Sequence, residues 1–291
     1  MAKDVIGFCK ICGNKRKLSK EHIPPSAAFN SGDYKVQTVD KYKTKDVNVW
    51  QTKKKQGGHF AYVLCVECNN QTGHWYGGEY KRVAEACAPY ANPSNAGQNV
   101  SIDLPELFPL RLFKQALTII CATANDEISD EWERLKSPAA SDFGVAEPDG
   151  DISPATNSMP LIRKFILDKE ANQLPAPFKL YTYLVGNPSG RATGIIKMFS
   201  RSTGTSAIFS EFAWWPLGWV LVFDGQITDT LFDITGWSQY RYDEGVPITL
   251  NLPCYWLESK MPLDFRTPML MAEARTKNQA VIDKRREDGG N

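Results

Sequence analysis

The pattern of apolar and polar positions changes along the chain, and over 178–224 it is typical of β-strands. Four runs rich in β-branched and aromatic residues are separated by Gly, Pro, Asn and Ser. They are FKLYTYLVG (178–186), TGIIKMFSR (193–201), SAIFSEFAWW (206–215) and GWVLVFD (218–224). Short turns between successive strands favour an antiparallel meander. We expect its aromatic cluster (Phe212, Trp214, Trp215 and Trp219) to form hairpin core, with base stacking or a small-molecule pocket as the alternatives.

Apolar residues recur at helical spacing in other parts of the chain. The stretch 104–124 shows this spacing behind Asp103, which we predict to be the helix N-cap. Two further helices are predicted over 129–137 and 158–170. A last helix is predicted over 267–287, where Pro268 suits the first turn.

The first ninety residues have a different pattern, with short β-like pieces at 34–39, 47–50 and 59–65 and a helix after Cys68. Pro, Asn, Ser and Gly gather at 88–99, where no periodicity survives, so we place a boundary there. The predicted fold class is α+β, with a domain over 1–90 and a larger α+β domain with antiparallel strands over 100–291.

Composition fits this division. A chain of 291 residues exceeds the usual single-domain size of roughly 100 to 200 residues, and 42% hydrophobic residues describe an ordinary globular protein. No apolar run reaches the roughly 20 residues that a membrane span needs, and the amino terminus lacks a signal-peptide core. We therefore expect a cytoplasmic protein without a membrane partner.

Charge is distributed unevenly. Residues 1–90 hold 15 Lys and Arg against 8 Asp and Glu, a balance of +7, so the other 201 residues carry −6 of the net +1. A polyanion is the natural partner of such a basic segment, although a solvated basic face would give the same count.

The seven cysteines include two C-x2-C pairs. Without a secretion signal, this spacing favours a metal site over disulfides. Four thiolates are the ligand set of a tetrahedral structural zinc site. The plainer alternative is a set of unrelated buried cysteines. The predicted zinc ligands are Cys9, Cys12, Cys65 and Cys68.

Between the two pairs lies the sequence SKEHIPP, in which Glu21 precedes His22. Neighbouring residues of a strand point to opposite faces, so Glu21 could bind a metal ion while His22 takes a proton from water. An exposed Glu-His pair is the plainer alternative. Asn69 and Asn70 follow the second pair and offer amide oxygens, which suit magnesium together with a carboxylate. Asn69 could also cap the following helix, and His74 could be a softer ligand or a phosphate contact.

The order CKIC, KEHIPP, CVECNN resembles the HNH, or ββα-metal, endonucleases of the bacterial or phage type with two C-x2-C knuckles. The resemblance covers roughly residues 9–82. It implies an amino-terminal zinc-bound ββα-metal domain in which the four cysteines bind structural zinc. It further implies that Glu21 and Asn69 hold a catalytic Mg²⁺ or Mn²⁺ ion, or that Asn69 orients the histidine, and that His22 is the general base. The family more often has Asp or His where Glu21 stands, and either Asn69 or His74 could be its third conserved position.

The expected activity is therefore metal-dependent hydrolysis of DNA phosphodiester bonds, in defence or DNA processing, with RNA as an alternative substrate. Lys20, Lys53, Lys54 and Lys55 are the expected phosphate contacts, and a solvated loop is the plainer interpretation of the three consecutive lysines. Two other functions would use the same scaffold. One is a zinc-finger module that binds nucleic acid or protein without cutting, and the other is a nuclease effector that a ligand regulates through the second domain.

Overall fold

The computed structural model describes residues 4–36, 53–123, 158–174, 178–200, 205–225 and 230–257. The described chain is α+β with mainly antiparallel strands, as predicted. The predicted elements at 47–50, 129–137 and 267–287 lie outside the described residues, as does the end of the predicted strand at 34–39.

A small three-stranded antiparallel sheet begins the chain, with strand order β1-β2-β5. Its strands are β1 (Ile6–Phe8), β2 (Lys15–His22) and β5 (Phe60–Cys65). The connection from β2 to β5 contains a separate pair of short strands, β3 (Tyr34–Val36) and β4 (Lys53–Lys55). The chain leaves β5 directly into the helix α1 (Val66–Thr72), which begins three residues earlier than the helix predicted after Cys68. A π-helical turn (Gly73–Gly77) and α2 (Gly78–Cys87) continue it.

The larger sheet has seven strands in the order β6-β12-β7-β10-β9-β8, with β11 also paired to β7. The strands are β6 (Asn99–Leu107), β7 (Lys179–Val185), β8 (Arg191–Ser200), β9 (Thr205–Trp214), β10 (Leu217–Gly225), β11 (Phe232–Asp233) and β12 (Val246–Tyr255). All four strands predicted over 178–224 are present. Strands β8, β9 and β10 form a meander, but β7 pairs with β10 rather than with β8.

The predicted helix over 104–124 is only partly correct. Residues up to Leu107 belong to β6, and the helix α3 (Pro109–Thr123) begins two residues later, so Asp103 is not its N-cap. Asp103 instead accepts a hydrogen bond from the Thr249 hydroxyl of β12 at 2.6 Å. Residues 99–107 form a strand because they pair with β12, and this tertiary pairing outweighs the helical spacing of the leucines. The helix α4 (Ser158–Leu167) lies within the predicted range 158–170.

One apolar core includes residues from both sides of the predicted boundary at 88–99. The Tyr80 ring lies 6.0 Å from the Trp219 ring, and the Tyr76 hydroxyl donates a 2.6 Å hydrogen bond to the Ile166 carbonyl. α3 is buried on nearly every side and packs against α2, α4 and the large sheet. These contacts seat the small sheet and α1 on the rest of the chain. The division into domains at 1–90 and 100–291 stays a prediction.

The aromatic residues predicted to form hairpin core are buried in this core at Phe212, Trp214 and Trp219, while Trp215 is half-buried. None of the helices in the described part of the chain has the length and apolar character that a membrane span requires.

Candidate functional site

Four cysteines come together where the small sheet meets α1. Cys9 and Cys12 lie in the turn between β1 and β2, Cys65 ends β5, and Cys68 lies in the first turn of α1. The turn closes through the Gly13 amide, which donates to the Cys9 carbonyl at 2.8 Å, and Gly13 takes a positive φ of 73° that suits glycine.

The four sulfur atoms lie within 4.8 Å of one another. A tetrahedron with zinc–sulfur bonds of about 2.3 Å has sulfur atoms about 3.8 Å apart, and the Cys12 and Cys65 sulfurs are separated by 3.9 Å. The cluster therefore has the ligands and the size for a metal ion such as zinc, as the spacing of the two pairs predicts.

The four cysteine thiols lie close enough to change one another's pKa. The Cys68 side chain hydrogen-bonds the Cys9 sulfur, which lowers the pKa of Cys9 well below its usual value and raises that of Cys68. Burial raises the pKa of Cys12. Because a bound metal ion requires thiolates, metal binding here displaces protons from this group.

β2 runs from the cysteine cluster to the Glu21–His22 pair at its end. Glu21 is half-buried, and none of the described residues donates a hydrogen bond to its carboxyl group or pairs with it as a cation. Burial without a partner raises its pKa to about 8. A carboxyl in this state would gain from a cation beside it.

Asn69 connects α1 to the same strand. Its Nδ2 donates a 2.9 Å hydrogen bond to the Ser19 hydroxyl, which in turn donates to the Leu64 carbonyl of β5 at 3.1 Å. This leaves the Asn69 Oδ1 atom without a donor among the described residues. Asn69 is thus bonded to β2 two residues before Glu21, and the pairing of β2 with β5 shifts register between Ser19 and Glu21. α1 has no side-chain N-cap bond, and Asn69 lies inside it rather than at its start.

His22 is the last residue of β2 and pairs with Phe60 of β5. Its Nε2 atom is 3.1 Å from the Gly57 carbonyl oxygen, and a bond to a carbonyl requires the proton on Nε2. The ring lies 5.9 Å from the Phe60 ring, and the Lys20 ammonium lies 4.0 Å above that same ring. Lys20 and His22 therefore share an exposed face with Phe60.

The other predicted site residues are placed as follows. His74 is exposed in the π-helical turn after α1, and no described residue bonds its ring. Lys53, Lys54 and Lys55 form β4. Among the described residues, the four cysteines are the only group of three or more His, Cys, Asp or Glu side chains close enough to share an ion. The roles assigned to Glu21, His22, Asn69 and His74 stay predictions.

Two contacts at His59 could not be predicted from the sequence, although Trp214 itself is one of the expected core aromatics. Asn30 is fully buried and bonds the backbone at Pro24 and His59. Trp214, from the far end of β9, stacks on the His59 ring at 6.0 Å. Neither has a spacing signal, because their partners are loop backbone or a distant strand. The only hint in the sequence is the pair Gly57-Gly58 before β5.

No protein-family model, curated protein sequence or solved structure matches the chain.

Proposed function

We propose that the chain is a divalent-metal-dependent endonuclease that hydrolyses DNA phosphodiester bonds. In this proposal β2, β5 and α1 form an HNH-type ββα-metal unit, and the four cysteines bind a structural zinc ion. The proposal depends chiefly on one observation, the hydrogen bond between His22 Nε2 and the Gly57 carbonyl at the end of β2.

This hydrogen bond suits His22 to act as a general base. With the proton on Nε2 held by Gly57, the lone pair of neutral imidazole lies on Nδ1. Nδ1 can then accept the proton of a water molecule as that water attacks phosphorus. The half-exposed position of His22 leaves room for water and substrate at the ring.

Glu21 and Asn69 fit a catalytic magnesium or manganese ion, because both offer oxygen ligands. No described residue hydrogen-bonds or ion-pairs with the Glu21 carboxyl. The Asn69 Nδ2 atom donates to Ser19, which leaves the Oδ1 atom available as a metal ligand. A divalent ion at these residues would balance the charge that develops on the phosphate and its leaving oxygen. His74 stays the alternative third residue.

Binding of DNA is assigned to the basic amino-terminal segment. Lys20 shares the exposed face of His22, so a phosphate held by its ammonium group would lie beside the base. Lys53, Lys54 and Lys55 follow in the connection between β2 and β5. RNA is the alternative polyanion with the same backbone charge.

The test is incubation of the purified protein with supercoiled and linear DNA, with added magnesium or manganese and without added metal. A reaction with EDTA is the second negative control. The zinc that the protein retains is measured in the same sample, because EDTA can also remove zinc from a cysteine site. We expect nicking only with added metal, and we expect His22→Ala to lower the rate about 10²- to 10⁴-fold.

Zinc content and thermal unfolding of His22→Ala should equal those of the wild type, because the imidazole contributes to chemistry more than to folding. DNA binding without cutting under every metal condition would overturn the nuclease proposal and favour a zinc-dependent binding module. Cutting that survives in His22→Ala would overturn the assignment of the base.

A further inference from the structure

We propose that Asn30 is a positioning residue for His22, because its side chain fixes the loop backbone that presents the Gly57 carbonyl. The consequence for catalysis rests on the proposed function of His22, whereas the structural link can be measured without any nuclease activity.

The Asn30 side chain joins two segments that flank the site. Its Nδ2 donates to the Pro24 carbonyl at 2.6 Å and to the His59 carbonyl at 2.8 Å. Its Oδ1 accepts from the His59 amide at 2.6 Å. Asn30 is 0% exposed, so water does not replace these bonds. Both an amide donor and a carbonyl acceptor are needed at this position, and asparagine is the shortest side chain that carries both.

The peptide group between Gly57 and Gly58 carries the effect to His22. The Gly58 amide donates to the Gly32 carbonyl at 2.9 Å, and the Gly57 carbonyl oxygen lies 3.1 Å from His22 Nε2. A trans peptide is planar, and its N–H and C=O point in opposite directions. Fixing the Gly58 N–H on one side therefore aims the Gly57 C=O at the imidazole on the other.

Close packing against Asn30 fixes this peptide further. Gly58 has a φ of 80°, and a Cβ atom there would lie 1.9 Å from the backbone oxygen of Asn30. Glycine is required for this approach. The backbone of Gly58 and His59 thus lies directly against Asn30, and it cannot shift away without breaking the bonds of the Asn30 side chain.

Two tryptophans at the end of β9 in the large sheet contact Phe29, the residue before Asn30. The Trp214 indole N–H donates to the Phe29 carbonyl at 3.3 Å, and the Trp215 ring lies 4.7 Å from the Phe29 ring. Phe29, which precedes Asn30, takes a positive φ of 62°. The turn that ends β9 therefore holds the residue next to Asn30, which couples the carboxyl-terminal sheet to the candidate site.

The first experiment measures kcat and KM of Asn30→Asp on DNA. This variant keeps an acceptor for the His59 amide and loses at least one of the two N–H donors, at nearly unchanged volume. We expect kcat to fall about 10- to 100-fold with little change in KM, because a small displacement of a catalytic group has that effect. Asn92→Asp is the matched control. The Asn92 side chain bonds Pro89, Ser94 and Asn95 and no described residue of 57–59, so we expect its replacement to leave kcat unchanged.

The second experiment observes His22 by nitrogen NMR, with the His22→Ala spectrum identifying its signals. In the neutral ring of the wild type we expect the proton on Nε2. In folded Asn30→Asp we expect a mixture of both tautomers, whereas a merely stabilising role would leave the tautomer unchanged. This result would support the positioning role even if the wild type cuts no DNA, in which case only the proposed function fails.

An unchanged kcat together with an unchanged Nε2–H tautomer in folded Asn30→Asp would overturn the proposal. If the variant does not fold, measurements on the wild type decide. Slow hydrogen exchange of the Asn30 side-chain amide together with the Nε2–H tautomer of His22 would support it, and an Nδ1–H tautomer would overturn it.

Discussion

The Nδ2 atom of Asn69 lies 2.9 Å from the Ser19 hydroxyl oxygen, so the helix that carries Cys68 is bonded to the strand that carries Glu21 and His22. The bond uses the donor end of the amide and leaves its oxygen for another partner. This relationship supplies the most direct test of the metal site.

Asn69→Ala should raise the magnesium concentration needed for half-maximal DNA cleavage by at least about 10-fold, because it removes an oxygen ligand from the proposed ion. Zinc content should stay the same. Asn70→Ala is the control, since Asn70 is exposed on the same helix. The measurement is cleavage rate against magnesium concentration for the three proteins, and three identical curves would remove Asn69 from the site.

His74→Ala decides between the two candidates for the third position of the motif. His74 lies beyond the end of α1 and bonds no described residue, whereas Asn69 bonds β2. We therefore expect His74→Ala to keep a near wild-type magnesium requirement. A larger effect than that of Asn69→Ala would transfer the role to His74.

The sequence predicts the cysteine cluster well, because paired C-x2-C spacing is a local signal with one common chemical use. The strands over 178–224 are similarly local and were placed correctly. The predicted start of α3 is too early, because residues 104–107 belong to β6. In β6, Ile102 and Leu104 are buried and Asp103 is exposed, a strand pattern that depends on pairing with β12. Because β12 is distant in sequence, local spacing does not reveal this pairing. The role of Asn30 could not be predicted because its partners are loop backbone, and the stacking of Trp214 on His59 could not because it joins residues distant in sequence.

Cys65→Ala should abolish zinc binding and leave the small sheet unfolded, because the binding energy of a structural zinc ion is folding energy. The cooperative unfolding transition of this sheet should therefore disappear. Elemental analysis should find about one zinc ion in the wild type and none in this variant. Cys87→Ala is the control, since Cys87 is equally buried but lies on α2 outside the cluster. Equal zinc content in Cys65→Ala and the wild type would eliminate the four-cysteine site.

Lys20→Gln should weaken DNA binding on every sequence tested and lower the magnitude of the salt slope of log K by roughly 0.9, as expected for one lost phosphate contact. The matched control is Lys81→Gln. Lys81 is an exposed lysine on α2 whose ammonium pairs with Glu85 at 3.4 Å. Titrations at several salt concentrations measure both effects, and parallel slopes for all three proteins would leave Lys20 as ordinary surface.

Lys114 should make stability depend on alkaline pH. This lysine of α3 is fully buried and donates to the Asp168 and Lys169 carbonyls at 2.6 and 3.2 Å, just after α4 ends. Burial lowers its pKa from 10.5 to about 8, and the negative charges of Asp168 and Glu170 offset only part of this decrease. Between these two values the unfolded chain holds more protons at this group, so the free energy of unfolding rises with pH.

The difference between the two pKa values corresponds to about 3 kcal/mol at most. The measurement is denaturant unfolding of the wild type and Lys114→Met from pH 7 to 10.5. We expect the wild type to gain stability relative to Lys114→Met above pH 8. Parallel curves for the two proteins would mean that the Lys114 ammonium keeps its ordinary pKa inside the fold.

The contacts of Tyr76 with Ile166 and of Tyr80 with Trp219 limit how the candidate nuclease unit can be engineered. A fragment ending near residue 90 would carry the motif but would expose both tyrosines, which are now buried, to water. Such an apolar patch promotes aggregation. Grafting this unit onto another protein would therefore require either transfer of the large sheet with it or polar replacements at Tyr76 and Tyr80.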